Sequence, residues 1–204
     1  MSYLQGGVEK RVTTRSVIQA TRAPEAATIG VASLPGDAVD MLHGIAYAPY
    51  VTLNLFLSER VLHEVWAVSC PDDFFATLYD AVRMQVMQDY RGKAILGVYI
   101  PPRPEDEHTD FLDRSDEAFL KAALRDLDKY FNDIEGKVLG YDLHRYTLAF
   151  PIFAPGYLEI MDGLTRQNRQ GPVFLAGDYM LYPTLDGAFW SGVAAAEAVE
   201  AFLG

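Results

Sequence analysis

GPVFLAGDYMLYPTLDGAFWSGVAAAEAVEAFLG, residues 171–204, closes the chain. Its first part, GPVFLAGD at 171–178, is a short apolar run that stops at Gly177, and such a run bounded by glycines predicts a buried strand. Beyond Pro183 the pattern becomes helical, with Val193, Ala194, Ala198 and Leu203 on an inward face and Glu197 and Glu200 towards water. A strand that enters a helix through a glycine-bearing turn aims the helix's free N–H groups at whatever sits above the turn, which suits an anion or a carbonyl oxygen. Gly187 and Ala188 leave the backbone bare enough for a flat ring to approach, and Asp178 can accept hydrogen bonds from hydroxyl groups. The same residues also read as a turn glycine, a capping acid and helix-packing alanines, and spacing alone does not choose between the two.

Upstream, residues 16–21, 50–57, 61–68 and 93–100 are rich in branched and aromatic residues and predict a sheet. Between them, residues 71–90 begin with proline and two acids, and Phe75, Leu78, Val82 and Val86 recur at helical spacing, which predicts a helix. Residues 115–131 predict a second helix, with Ser115 as its N-cap. Residues 137–153 read as a strand followed by a proline-interrupted extension, and PPRPEDEHTD at 101–110 as a solvated loop.

With 204 residues, half of them hydrophobic, the chain can bury a real core. A net charge of -11 without a cluster of Lys and Arg argues against a nucleic-acid surface. The single cysteine, Cys70, reads as a small structural hydrophobe, and His43, His63, His108 and His144 lack metal-ligand spacing, so no metal is expected. Residues 1–8 lack the features of a secretory leader and no apolar run is long enough to span a membrane, so a reducing, cytoplasmic setting is the expectation.

In order, LAGD, YPTLDGA, WSG and AAAEA resemble the C-terminal flavin-binding signature of the flavin-containing amine oxidase and protoporphyrinogen oxidase superfamily. HRYTLAFPIFAPGY and VIQATRAPEAA are similar to the stretches that precede it there, so that nearly the whole chain is covered. The resemblance implies an α+β fold in which a mixed or antiparallel sheet of a substrate domain, covered by helices, is joined to the last strand and C-terminal helix of an FAD-binding domain. On that basis residues 1–20 are a residual strand of the FAD domain, 21–150 the substrate-binding domain and 151–204 the FAD-contacting segment. It further implies that Gly177 and Asp178 lie near the ribityl or phosphate region of a non-covalent FAD, and that Leu185, Asp186, Gly187 and Ala188 pass under the pyrimidine edge of the isoalloxazine. Tyr146 and Tyr182 are the aromatic side chains expected to face the flavin and wall a substrate cavity. A flavin carries the hydride chemistry itself, so no side chain is assigned as catalytic.

The chain departs from that family in two ways. No GxGxxG fingerprint is present, since Gly6, Gly7, Gly30, Gly36, Gly92 and Gly97 never make the spacing, so the chain corresponds to the family's C-terminal part. Three explanations are open: a cut chain, a subunit whose partner carries the fingerprint, or a domain that has lost flavin. The first two imply an FAD-dependent oxidoreductase acting on an amine or an extended conjugated apolar molecule, with weak or absent FAD in the isolated chain and association with a partner chain or with itself. The third implies an interaction subunit or a small-ligand module without flavin. In addition, many amine oxidases place a lysine in the strand that here reads APYVTLNLFL, where Val51 and Thr52 occupy the matching positions, so a standard amine oxidase is less favoured.

Overall fold

A computed structural model describes residues 2–30, 32–84, 92–103, 106 and 108–204. They form two compact units, Met1–Tyr47 with Phe150–Gly204, and Ala48–Ala149. In this division residues 21–47 group with the C-terminal segment.

In the first unit, β1 (Ser2–Gln5) and β2 (Val8–Arg11) make an exposed antiparallel hairpin. β3 (Val17–Gln19) leads to α1 (Ala23–Gly30) and α2 (Gly36–His43). The second unit begins on β4 (Tyr47–Leu57) and continues through β5 (Ala67–Ser69), β6 (Thr77–Asp80), the single turn α3 (Ala81–Met84) and β7 (Ala94–Ile100). It closes with α4 (His108–Asp113), α5 (Asp116–Leu127), α6 (Ile134–Lys137) and β8 (Val138–Pro151). Back in the first unit come α7 (Tyr157–Gln167), β9 (Val173–Leu175), a 3-10 turn at Asp178–Met180 and α8 (Leu185–Leu203).

β3 and β9 pair in parallel, with Ile18 opposite Phe174. β9 is buried along its whole length because its two faces have different cores: Val173 and Leu175 pack with Ala27, Leu42, Leu164 and Tyr179, while Phe174 and Ala176 pack with Ala195 of α8. A continuous apolar run is what such a strand needs. The ladder to β3 uses Pro172 C=O and Ala176 N–H, so Leu175 turns its own N–H and C=O the other way. There Asn168, at the end of α7, takes both: its Nδ2 donates to Leu175 O at 2.7 Å and its Oδ1 accepts from Leu175 N at 2.8 Å.

The second unit is a five-stranded sheet in the order β5-β6-β7-β4-β8. β4 alternates strictly, with Val51, Leu53, Leu55 and Leu57 buried and Tyr50, Thr52, Asn54 and Phe56 on the other side. The buried face meets Phe111, Phe119, Ala123, Leu127 and Ile134 from the three helices, and Cys70 sits in the same core, where burial raises its thiol pKa. Ser115 caps α5 as expected, its Oγ accepting from Ala118 N at 3.2 Å.

Residues 71–84 correct the expected helix. Thr77–Asp80 is strand β6, held between β5 and β7, and among the described residues of this segment the helical ones are Ala81–Met84; Val86 lies outside the described residues. Phe75 and Leu78 are buried as anticipated, but Leu78 alternates with outward Thr77 and Tyr79, a period of two that two neighbouring strands reward. The expected strand over 61–68 is also reduced, to Ala67–Ser69. Among the described residues no helix is long and apolar enough to cross a membrane.

Asp73 does not cap a helix but is held by residues just beyond α5, and Asp126 on α5 reaches back to the same segment. Asp73 accepts from Lys129 Nζ at 2.9 Å, and Asp126 accepts from Phe74 N at 2.8 Å and Arg125 Nε at 3.0 Å. Burial pushes the Asp126 carboxyl up, but the bonds from Arg125, Phe74 N–H and Lys129 outweigh it and bring the pKa down to about 2. A carboxyl held below its unfolded value of about 3.9 stabilises the fold fully above that value, and the contribution disappears as pH falls towards the folded value. Asp126→Asn is therefore expected to lower the unfolding midpoint near neutral pH by roughly 1–3 kcal/mol of stability. The gap from wild type should close between about pH 4 and about pH 2. Thermal unfolding of both proteins across that range checks this, and a gap that stays constant would contradict it.

Candidate functional site

The first unit gathers its polar chemistry around the turn between β9 and α8. Gly177, at φ 158°, ends the strand, and its N–H donates to Ser191 Oγ at 2.8 Å, while that hydroxyl donates to Ala188 O at 2.8 Å. Ser191 thus stitches the second turn of α8 to the strand end. Asp178 opens the 3-10 turn half-buried; burial raises its pKa, with the nearby backbone N–H groups of Tyr179 and Asp178 drawing it partly back.

Three phenols surround this acid. Tyr157 Oη donates to Tyr179 O at 3.0 Å, and Tyr47 Oη accepts from Ala23 N at 3.1 Å. Burial, with the Asp178 carboxylate and other nearby groups adding to it, raises Tyr47 to about 12 and also raises Tyr157 and Tyr179, so all three stay neutral at physiological pH. Two buried atoms, Tyr179 Oη and Glu25 Oε2, have no hydrogen-bond partner among the described residues, and both belong to groups that perturb or are perturbed by Tyr47.

α8 starts at a formal cap. Thr184 Oγ1 accepts from Gly187 N at 3.1 Å and Thr184 O accepts from Ala188 N at 3.0 Å, which leaves the first-turn N–H groups of Leu185 and Asp186 directed out of the helix. Leu185 is 88% exposed and Asp186 is exposed beside it. Gly187 is buried, and a Cβ there would lie 2.1 Å from Tyr182 O, so its bare Cα accommodates a backbone carbonyl of its own turn. Tyr182, at 40% exposure, and Ala188, partly buried, flank that turn. The buried line of α8 is Gly187, Ser191 and Ala195, one residue per turn; Val193, Ala198 and Leu203 are only partly buried and Ala194 is exposed, which corrects its expected inward position. Close approach to β9 selects the small residues of that line rather than the larger apolar ones.

The second unit offers a different surface. The side of its sheet away from the core carries Tyr50, Thr52, Asn54 and Phe56 of β4, Tyr79 of β6 and Tyr99 of β7, with Gly97 between Asn54 and Tyr79 in the register. Tyr79 lies across Gly97, where a Cβ would fall 2.0 Å from its ring. The Tyr79 and Tyr99 rings are 4.7 Å apart, Tyr50 meets Tyr99 edge-on at 5.9 Å, and Tyr79 Oη donates to Asn54 Oδ1 at 3.3 Å. Burial and the neighbouring Tyr99 push Tyr50 and Tyr79 up to about 12. Tyr146, on β8, is 47% exposed and near His144, which pairs with Asp142 at 2.8 Å. Of the two residues at the family's lysine position, Thr52 faces this surface and Val51 is wholly in the core.

Gly177, Asp178, Tyr182 and the Leu185–Ala188 turn thus belong to one unit and Tyr146 to the other. Sequence reasoning overlooked Tyr50, Tyr79, Tyr99 and Asn54; the alternation of β4 carried the signal for Tyr50 and Asn54. Among the described residues no group of acids, histidines and cysteine could hold a metal ion.

Against known proteins, the family described as flavin containing amine oxidoreductase matches residues 3–200. No curated protein sequence matches the chain. Cyclohexylamine oxidase from Brevibacterium oxydans IH-35A aligns in structure with a TM-score of 0.69 and 16% identity over 100% of this chain and 46% of that one. A reduced UDP-galactopyranose mutase aligns with a TM-score of 0.69 and 7% identity over 93% of this chain and 42% of that one. A redesigned putrescine oxidase aligns with a TM-score of 0.65 and 15% identity over 92% of this chain and 42% of that one. The chain spans less than half the length of each.

Proposed function

The chain belongs to the flavin containing amine oxidoreductase family, and from that premise we propose that it is the substrate-binding and C-terminal FAD-contacting portion of an FAD-dependent oxidoreductase. Its substrate is an amine or an extended conjugated apolar molecule. The observation that carries the reading is the exposed first turn of α8, with the outward N–H groups of Leu185 and Asp186, on the same short connection as the half-buried Asp178.

These residues fit the cofactor in kind. Asp178 would accept from ribityl hydroxyls, with Gly177 keeping the strand end close, and the amides at 185 and 186 would face the carbonyl edge of the ring. The positive end of α8 would favour negative charge there by roughly 0.3–1 kcal/mol. Gly187 and Ala188 enter as the backbone that shapes the turn, Gly187 by admitting the Tyr182 carbonyl. Bound there, the flavin would supply hydride acceptance. Non-covalent binding is the expectation, since no cysteine lies in or next to this turn to form a thioether and Cys70 is buried in the second unit. The aromatic side of the sheet, with Tyr146, is the substrate-facing wall of this reading, and Tyr182 the aromatic at the flavin end.

A second reading, an interaction or small-ligand module that keeps the fold without flavin, draws on Gly187: the space a flat ring was expected to use is taken by Tyr182 O.

The partner of the first reading is a chain or segment carrying the dinucleotide fingerprint, or a second copy. β3 is flanked by β9 on one side and, among the described residues, by no strand on the other, and Ile18 on it is 43% exposed. The purified chain alone is expected to carry far less than one FAD per chain and to associate. Its visible spectrum and its sedimentation test this; a stoichiometrically yellow, strictly monomeric preparation would overturn the proposal.

A further inference from the structure

We infer that the open side of the second unit's sheet selects an uncharged ring-bearing ligand whose substituent oxygen accepts a hydrogen bond, with Tyr79 and Tyr99 as the floor and Asn54 as the donor. This rests on the reading of that side as substrate-facing and narrows its two substrate classes to one.

The floor follows from ring geometry. Tyr79 can lie flat across the sheet only because Gly97 beneath it has no side chain, and Tyr99 then sits 4.7 Å away at a 45° tilt. The pair offers a broad π surface suited to stacking or edge contact with another ring.

The polar preference follows from Asn54. Its Oδ1 is committed to the Tyr79 hydroxyl at 3.3 Å, which directs its Nδ2 away, and among the described residues that NH2 has no partner. The two unused N–H groups of this partly buried amide gain a bond from a carbonyl, ether or hydroxyl oxygen and none from an ammonium, which has only donors and is left to share Oδ1 with the Tyr79 hydroxyl.

Charge points the same way. The outward residues of β4, β5, β6 and β7 in register here are Tyr50, Thr52, Asn54 and Phe56, Ala67 and Ser69, Thr77 and Tyr79, and Ile95, Gly97 and Tyr99, none of them charged at neutral pH. The ionisable pair contributed by β8, Asp142 and His144, is bonded to itself at 2.8 Å. Among the described residues, a protonated amine stripped of water over β4–β7 meets no carboxylate on those strands, so its desolvation there is offset by the rings and neutral oxygens alone.

Acetophenone and 1-phenylethylamine share a ring and carbon skeleton and differ as neutral carbonyl and ammonium, which makes them the test pair. Their dissociation constants for the full chain, measured by ligand-observed NMR at neutral pH, should favour acetophenone by about tenfold, the ratio that about 1.4 kcal/mol produces. Asn54→Asp keeps the shape, removes the N–H donors and adds a charge, and should reverse the order. Asn54→Leu should weaken acetophenone without improving the amine, and Tyr99→Ala, at a partly exposed position, should weaken both. Thermal unfolding of each variant identifies any that fails to fold, and the wild-type ratio stands without them. An amine that binds wild type as tightly as the ketone overturns the inference, as does ketone affinity that is unchanged in the folded Asn54 variants. No flavin enters these measurements, so their failure leaves the flavin reading intact, and an absent flavin site would not alter their outcome.

Discussion

Gly187→Val is expected to disrupt the closing turn and to cost the first unit about 2–4 kcal/mol of stability. The added Cβ would stand 2.1 Å from Tyr182 O and 3.1 Å from Tyr182 C, and backbone atoms cannot swing aside as the tip of a side chain can. Tyr182 O is itself engaged, accepting from Thr184 N at 2.8 Å, and Thr184 caps α8 through Gly187 N–H. Moving the carbonyl therefore breaks one backbone bond and disturbs a cap worth about 1 kcal/mol in addition to the strain. Even Gly187→Ala should show most of the effect, because the first carbon already collides. Urea unfolding gives the cost, and hydrogen exchange at the start of α8 locates it; a midpoint equal to wild type would refute the account of this turn. Gly97→Ala is the informative contrast. Its Cβ meets the far end of Tyr79, which can rotate off the sheet, so folding should be little affected while the aromatic floor is lost.

Asn168→Ala should cost a similar amount, roughly 2–5 kcal/mol, for a different reason. Asn168 and Leu175 are both buried, and one side chain satisfies both the N–H and the C=O that β9 turns away from β3. Truncation leaves two buried backbone groups without partners, each carrying a desolvation penalty of about 1–3 kcal/mol. Asn168→Asp is no rescue, since its second oxygen would face Leu175 O where the amide N–H stood. Chemical denaturation of both variants reads the loss, and a change below about 1 kcal/mol would mean that water replaces the amide and that this edge is open to solvent.

What the sequence discloses and conceals follows the range of the interactions. β4 was legible because its alternation is local, and α5 because Ser115 stands at its start. The strand, turn and helix at the end of the chain were legible from glycine, acid and small-residue order. Residues 71–80 were misread because Phe75 and Leu78 fit a helical period as well as they fit the core, and only pairing with β5 and β7 decides for a strand. That error hid Tyr79 and with it the aromatic surface, whose members come from strands far apart in the chain. Asn168 gave no signal, because an amide that completes a strand edge leaves no pattern in its neighbours. Gly187 was identified as a place where a bare backbone matters, but the group that approaches it is Tyr182 O, which only the folded turn brings there.

The most direct test of the central proposal, that the β9–α8 turn is a flavin-contacting end, is a titration of the isotope-labelled chain with FAD followed by amide chemical shifts. The account predicts that shifts concentrate at Gly177, Asp178 and Leu185–Ala188, saturating only at high FAD concentration, and that Asp178→Ala weakens the same response by about fivefold or more, as loss of one bond to a charged group implies. Shifts that are absent from this turn, or that cluster elsewhere and are indifferent to Asp178→Ala, would contradict it.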